Sequence, residues 1–361
     1  MLDILNKYLE NGLVQKQVHP TLPLTIWNYT PKVQYGENFK RYVYWDEITS
    51  QTRGLVTDDK GNVVARPFKK FFNLDENRHT PTDEFEVFEK MDGSLGILFN
   101  YQGEWVLATR GSFTSDQAIK GTQLLQKYDY KRLNPKYTYL FEIIYPENRI
   151  VVTYDYEDLV LLGVIRTSDG VELSLYDTKD DVRIVNLIKN LGFKIVKKYS
   201  KITKGDYSFL KDAIPEYKEG FVVRFYNGDR LKIKGDEYVR LHKILSNLTN
   251  MSVWETLSEG KDITTLLDGV PDEIFGKVKE YESNLKYGFY QIGEQCGKAH
   301  DYFRYGKYND RDPEPTKKEY AEHVLKNSHP LYRPVMFAMW DRKKYDHLIW
   351  KILKPNKVEK L

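Results

Sequence analysis

Three glycine-bearing turns, each set between runs in which apolar and polar residues alternate, constrain this 361-residue chain more than any other feature. "RGLVTDDKGNVVARPF" reads as a strand, a turn at Gly61 and Asn62, and a returning strand. "GSLGILFNYQGEWVLATRGS" repeats the arrangement around Gln102 and Gly103, and "EGFVVRFYNGDRLKIK" repeats it around Asn227 and Gly228. A two-residue period broken by tight turns commits a chain to antiparallel sheet, because a helix would scatter the same apolar positions around its circumference. Further strand-like runs follow at "YTYLFEIIYP", "RIVVTYDY" and "LVLLGVIRTSDGVELS". Two helices interrupt them. "SDQAIKGTQLLQKY" has apolar residues at helical spacing with Ser115 as its N-cap, and "DDVRIVNLIKNLG" is amphipathic and closed by Gly192.

From Asp236 onward the pattern changes. "EYVRLHKILSNLTN", "MSVWETLSE", "PDEIFGKVKEYESNLKYGFYQIGEQCGKAHDYF" and "EYAEHVLKNS" favour helix, strand signals nearly vanish, and "YGKYNDRDPEPTKK" is a polar, proline-bearing loop. The expectation is therefore an α+β chain of two domains, an antiparallel-sheet-rich one over residues 1–238 and an all-helical one over 239–361. Charged residues at 30% and hydrophobic ones at 41% suit an ordinary folded protein with a substantial core. No apolar run reaches membrane-spanning length, and "MLDILNKYLENGL" is an acidic amphipathic helix rather than a signal peptide, so a cytoplasmic protein without a membrane partner is expected. The single cysteine, Cys296, excludes an intrachain disulfide and a thiolate metal cluster. A net charge of +3 does not announce nucleic-acid binding, so any such surface must arise from local clustering.

"FEVFEKMDGSLGILFN" puts Lys90 at the mouth of a turn between two runs that look buried, an unusual place for a lysine. An amine nucleophile must lose its proton, face an electrophile and have the leaving group's charge neutralised. Nearby cations or a metal ion would lower its pKa, and the same cations would bind a polyphosphate. The chain supplies candidates. Lys232 and Lys234 alternate in "RLKIKGD" and so share one strand face, Arg53 opens the strand "RGLV", and Lys69 and Lys70 lie in "RPFKKFFN". Glu142 in "YLFEIIYP" and Glu219 in "KEGFVVRF" are acids in otherwise apolar strand segments, where an unpaired charge is costly; both are candidate metal ligands. Each element alone has an ordinary explanation: a Lys-x-Lys pair is commonly a solvated edge, and a lone acid at a strand end is commonly paired. Their joint occurrence carries the weight.

The ordered set "KMDGS", "FEIIYPENRIV", "LVLLGVIR", "EGFVV" and "LKIK" resembles the successive motifs of the covalent nucleotidyltransferases. More narrowly, "RGLV" followed by "ARPFKKFFNLDEN", with "TRGSFTSDQA", "PENRIV" and "GDEYVRLH", resembles the bacteriophage RNA ligase 1 family from about Tyr29 to about Glu273. That resemblance implies an adenylyltransferase domain followed by a helical domain, and an ATP-dependent RNA ligase that joins 5′-phosphate and 3′-hydroxyl ends. It implies that Lys90 attacks the ATP α-phosphorus to give lysyl-AMP, that Lys232 and Lys234 contact the phosphates, and that Arg53 and Lys70 steady the triphosphate. By the same carry-over Arg110 fills a basic position, Glu142 holds the ribose or a metal-bound water, and Tyr29 and Phe72 lie near the nucleotide. Gly93 suits the turn because a side chain would crowd the backbone approach to the nucleotide. Glu219 would serve the catalytic metal, and Asp272 with Glu273 matches an acidic pair associated with a further metal. Magnesium is the implied ion, with manganese as its substitute, and the implied partner is RNA. In some relatives the helical domain helps select tRNA, so tRNA is one candidate substrate, and a monomer is expected.

Two other possibilities compete. A DNA ligase or mRNA capping enzyme of the same superfamily usually follows its LKIK-type strand with a small β-barrel, whereas helices follow here. A non-catalytic RNA-binding module would use Lys90 only to pair with a phosphate or with Asp92. In the helical region "HDYFRYGKY", which mixes cations with aromatics, could grip single-stranded RNA, although such a mixture is more often a solvated helix face.

Overall fold

The computed structural model describes residues 1–35, 44–76, 84–148, 151–176, 182–199, 208–267, 272–306 and 315–359, and every structural statement below concerns these. The chain divides into two compact units, Met1–Val239 and Arg240–Leu361.

The first unit holds three sheets. Strands β1 (Val14–Val18), β2 (Leu24–Tyr29), β3 (Arg53–Asp58) and β4 (Val63–Ala65) form an antiparallel sheet in that order. Strands β5 (Phe72–Asn73) and β6 (Phe85–Lys90) belong to a sheet completed much later in the chain. The middle sheet is built from β7 (Ser94–Tyr101), β8 (Glu104–Thr109), β9 (Tyr137–Ile144), β10 (Asp158–Arg166), β11 (Glu172–Leu173) and β12 (Lys194–Ile195). Its order is β11-β10-β9-β7-β8, with β12 pairing parallel to β10. Strands β13 (Lys198–Tyr199), β14 (Gly220–Phe225) and β15 (Arg230–Lys234) return to give the remaining sheet, ordered β13-β6-β14-β15-β5.

All three turns expected from the sequence close hairpins, β3–β4, β7–β8 and β14–β15. At the second, Gln102 and Gly103 both have positive φ, 52° and 94°, the backbone that matches a two-residue turn to strand twist. The helix Asp116–Leu125 is capped by Ser115, whose side chain accepts from the Ala118 amide. It packs with the helix Val182–Asn190 on the middle sheet, where Leu98, Tyr139, Phe141, Ile143, Leu159 and Leu161 are almost wholly buried. At about 2 kcal/mol for each such side chain, that layer is a principal source of the unit's stability.

One expected strand is absent. Arg149 and Ile150 of "RIVVTYDY" lie outside the described residues, and Val151–Tyr156 forms no strand. The Val151 and Val152 amides, which a ladder would use, instead donate to the Asp92 carboxylate, each at 2.9 Å. Capture by a side chain competes with strand pairing, and the loop follows.

The second unit contains helices and no strand among its described residues. Its longest, Asp272–Asp301, ends in a π turn over Tyr302–Gly306. The polar loop expected after it falls mostly on 307–314, outside the described residues. One apolar cluster gathers around Phe303, Tyr320, Val335 and Ile349, with Cys296 buried in it; another gathers around Leu248, Val253 and Val278. Asn250 clips the chain's last described turn, donating to the Lys357 carbonyl and accepting from the Glu359 amide, both at 2.9 Å. No described helix is long and apolar enough to cross a membrane.

Candidate active site

Strand register assembles the site. In the sheet containing β6, β14 and β15, Gly220 lies opposite both Lys90 and Lys234, Val222 opposite Phe88 and Lys232, and Arg224 opposite Glu86 and Arg230. Opposed residues in a ladder project to the same face, so three successive rungs share one surface. The alternate residues Phe85, Val87, Phe221, Val223, Phe225, Leu231 and Ile233 are buried together on the other face. Burial of that apolar set fixes which way every lysine points, because a one-residue slip would turn the whole set outward.

In the first rung the middle position carries no side chain, and the lysines on both sides reach one carboxylate. Lys90 Nζ lies 2.6 Å and Lys234 Nζ 2.9 Å from Glu219 Oε1. Glu219 is 3% exposed, and although burial pushes its carboxyl up, the two ammonium groups hold it below the usual range. Gly220 makes this turn possible: its φ is +148°, and a Cβ there would stand 2.0 Å from the Ile233 carbonyl oxygen. Lys232, in the next rung, is pulled down to about 7 by burial and by Lys70, Lys90 and Lys234 around it.

Lys90 does not sit in a hairpin turn. Strands β6 and β7 enter different sheets, so Met91–Gly93 is a crossing between them. Asp92, 4% exposed, anchors the crossing. Its carboxylate accepts the two amides of Val151 and Val152 and the Tyr238 hydroxyl at 2.8 Å, while its own amide donates to the Tyr154 hydroxyl at 2.9 Å. The carboxylate partnered with Lys90 is thus Glu219, and Asp92 serves the backbone. The requirement for glycine at 93 also has an internal cause, since a Cβ would lie 2.7 Å from the Ile143 carbonyl oxygen and 3.0 Å from Glu142 Cγ.

The other cations come from three places: Arg53 opens β3, Lys70 lies between β4 and β5, and Arg110 follows β8. Lys70 Nζ stands 5.0 Å from the Phe72 ring, 5.5 Å from Trp45 and 5.8 Å from Tyr29, and donates to Gln34 Oε1 at 3.2 Å. Trp45 meets Tyr29 and Phe72 edge to face at 4.8 and 5.3 Å. Burial, together with Arg53 and Arg110, pulls Lys70 down to about 8. Burial likewise draws the Arg53 guanidinium below its usual value despite the nearby Tyr29 and Glu142. Arg110 lies over the Tyr29 ring at 5.7 Å.

A cavity of about 220 Å3 opens between the middle sheet and the sheet bearing Lys90. Arg53, Lys90, Gly93 and Glu142 line one part of it; Phe88 and Val222 on one wall and Leu95 and Leu162 on the other make an apolar slot. Glu142, on β9, is pushed up to about 8 by burial and by the charges of Glu219 and Asp92, with Lys90 and Arg53 opposing. A half-buried carboxylate whose charged form is disfavoured in this way fits a cation. Among the described residues no group of three or more His, Cys, Asp or Glu side chains is arranged for a metal, so a divalent ion here would be completed by phosphate oxygens, as is usual for magnesium. The donors suit that case.

Of the residues expected from the sequence, Tyr29, Arg53, Lys70, Phe72, Gly93, Arg110, Glu142, Glu219, Lys232 and Lys234 are gathered with Lys90 through these contacts and charges. The Asp272 side chain lies outside the described residues; its backbone begins the long helix of the second unit. Sequence reasoning missed Trp45 and Gln34, which no motif marks, and considered Asp92 only as a possible partner of Lys90, whereas it holds the Val151 and Val152 amides and the Tyr238 hydroxyl.

Residues 51–238 match the RNA ligase protein family. Among curated relatives, the protein named "Putative RNA ligase" of Thermovibrio ammonificans is 30% identical over 287 residues, covering 75% of this chain and 71% of its own length. The RNA ligase of Rhodothermus phage RM378 is 23% identical over 308 residues, covering 65% of this chain and 69% of its own. Among solved structures an archaeal ATP-dependent RNA ligase aligns over 96% of both chains at 14% identity and a TM-score of 0.46.

Proposed function

The chain belongs to the RNA ligase family, and we propose that it uses ATP to join RNA 5′-phosphate and 3′-hydroxyl ends through a lysyl-AMP on Lys90 and an RNA-adenylate. One observation carries the proposal: the Lys90 amine shares the Glu219 carboxylate with Lys234 and lines a cavity together with Arg53 and Glu142. In the first step Lys90 Nζ attacks the α-phosphorus, an N–P bond forms, the bridging P–O bond breaks and pyrophosphate departs. The Glu219 carboxylate, 2.6 Å from the amine, is placed to accept its proton. Lys232, Lys234, Arg53 and Lys70 bind and orient the triphosphate, and a bound polyphosphate draws Lys232 back to its charged form, because anionic oxygens favour the ammonium. Glu142 and Glu219 would hold a divalent metal, magnesium or manganese, which supplies charge neutralisation for the phosphates. AMP then passes to the RNA 5′-phosphate, and the 3′-hydroxyl displaces it to seal the strand.

In this proposal residues 1–238 act as the adenylation domain and 239–361 as a helical RNA-binding domain in a monomer. The relative from Rhodothermus phage RM378, named as an RNA ligase, supports an enzyme acting on RNA. The test incubates the protein with α-labelled ATP and magnesium, followed by denaturing electrophoresis. A covalent label on the wild type that disappears in Lys90→Ala is the expected result; an unlabelled wild type refutes the proposal. Parallel sealing assays with broken tRNA and with unstructured oligonucleotides then assign the RNA class.

A further inference from the structure

The third rung of the sheet, Glu86–Arg224–Arg230, has no part in the chemistry above, yet Arg224 and Arg230 line the same cavity as Lys90. Lys90 and Glu86 are four residues apart on β6, about 13 Å at about 3.3 Å per residue, so a nucleoside can lie along the rungs with its phosphate at the first and its base toward the third. Between them the slot is apolar, formed by Phe88, Val222, Leu95 and Leu162, which suits a base ring.

Charge closes the far end. Glu172, from β11 of the facing sheet, also lines the cavity and pairs through Oε2 with Arg230. Arg230 stacks over the Phe68 ring at 4.3 Å, which holds that guanidinium in place. Arg224 is turned partly away, donating from Nη1 to Glu86 Oε2 at 3.4 Å, and Glu86 in turn pairs with Lys198. Glu172 Oε1 stands 3.6 Å from Arg224 Nε, too far for a hydrogen bond. This oxygen keeps acceptor capacity, and donor hydrogens of Arg224 lie beside it.

We infer that Glu172, with Arg224 beside it, reads the six-position edge of a purine and makes the site selective for adenine over guanine nucleotides; the inference rests on the adenylylation proposed above. Adenine presents an amino donor at position six next to a ring-nitrogen acceptor, which matches a carboxylate next to a guanidinium. Guanine presents a carbonyl at position six, so an acceptor would face an acceptor. A carboxylate can only accept, so Glu172 repels that carbonyl.

The experiment measures covalent labelling of the wild type and of Glu172→Gln with α-labelled ATP and GTP, with thermal melting of both proteins. It adds labelling of the wild type with purine riboside triphosphate, which lacks any group at position six. The wild type is expected to favour ATP over both competitors by roughly tenfold or more. In Glu172→Gln, whose amide can donate to a carbonyl, the ATP-to-GTP ratio is expected to fall by a similar factor. An unchanged ratio in a variant that melts like the wild type overturns the inference and leaves Glu172 as a staple between sheets. So does equal labelling of the wild type by ATP and purine riboside triphosphate, which decides the matter even if the variant does not fold. Absence of label from every nucleotide on the wild type sinks the adenylylation proposal and this inference together.

Discussion

Replacing Asp92 with alanine tests how the Lys90 crossing is held. The substitution removes an acceptor that receives the Val151 and Val152 amides at 2.9 Å and the Tyr238 hydroxyl at 2.8 Å, at a position 4% exposed. Hydrogen bonds to a charged group contribute about 1.5–3 kcal/mol each, and a buried donor that loses its partner carries a desolvation cost of similar size. Three such bonds would sum to about 7 kcal/mol if independent. Water entering the vacated space and the coupling of two adjacent amides bring the expected loss to about 4 kcal/mol. For a unit of this size each kcal/mol lowers the melting temperature by about 2–4 °C, so the first unit should melt about 8–16 °C lower. Asp92→Asn keeps the shape but turns one acceptor into a donor, and about half that shift is expected. Differential scanning calorimetry reads both, with Asp59→Ala at an exposed position as the control that stays within about 0.5 kcal/mol of wild type. Asp92→Ala melting within about 2 °C of wild type would refute the anchoring role.

Three further outcomes follow from the same geometry. Gly220→Ala, which sets a Cβ 2.0 Å from the Ile233 carbonyl at φ +148°, should cost about 3 kcal/mol or more, read as a lowered melting temperature and soluble yield. Glu219→Ala and Lys232→Ala should each remain folded by circular dichroism and lose strand joining by about 100-fold or more; normal sealing by either would remove that residue from the site. Ligand-free stability should depend on pH with opposite signs at two residues. Lys232, drawn down from 10.5 to about 7, contributes stability present above pH 10.5 and lost as pH falls through 7, so Lys232→Met should gain on wild type as pH drops across that window. Glu142, pushed up from 4.5 to about 8, contributes stability present below pH 4.5 and lost as pH rises through 8, so Glu142→Gln should gain on wild type in the other direction. Melting curves of the two variants that run parallel to wild type across pH 5–10 would contradict these charge environments.

The local devices of the fold were legible because they depend on neighbours in sequence. Ser115 caps its helix three residues ahead of the amide it accepts, and Gln102 and Gly103 need only each other to close a hairpin. The alternation of "LKIK" placed Lys232 and Lys234 on one face, since Leu231 and Ile233 had to be buried on the other. The run "RIVVTYDY" misled for the opposite reason. Its composition favours a strand, but Asp92, 59 and 60 residues away from the amides it holds, claims them first. Trp45 likewise joins Tyr29 and Phe72 only through the folded chain.

Periodicity and turn chemistry alone therefore determined that the first part of this chain is antiparallel sheet, where its hairpins close, and which strand faces bear charge. Tertiary structure decided the rest: that β6 and β7 part into different sheets, that Lys90 and Lys234 meet on Glu219, and that a slot opens between the sheets beside them. The physical reason is range. A strand's two-residue period and a turn's φ angles are set by adjacent residues, whereas the partner of a buried charge is chosen by whatever the packed sheets bring within a few ångströms of it.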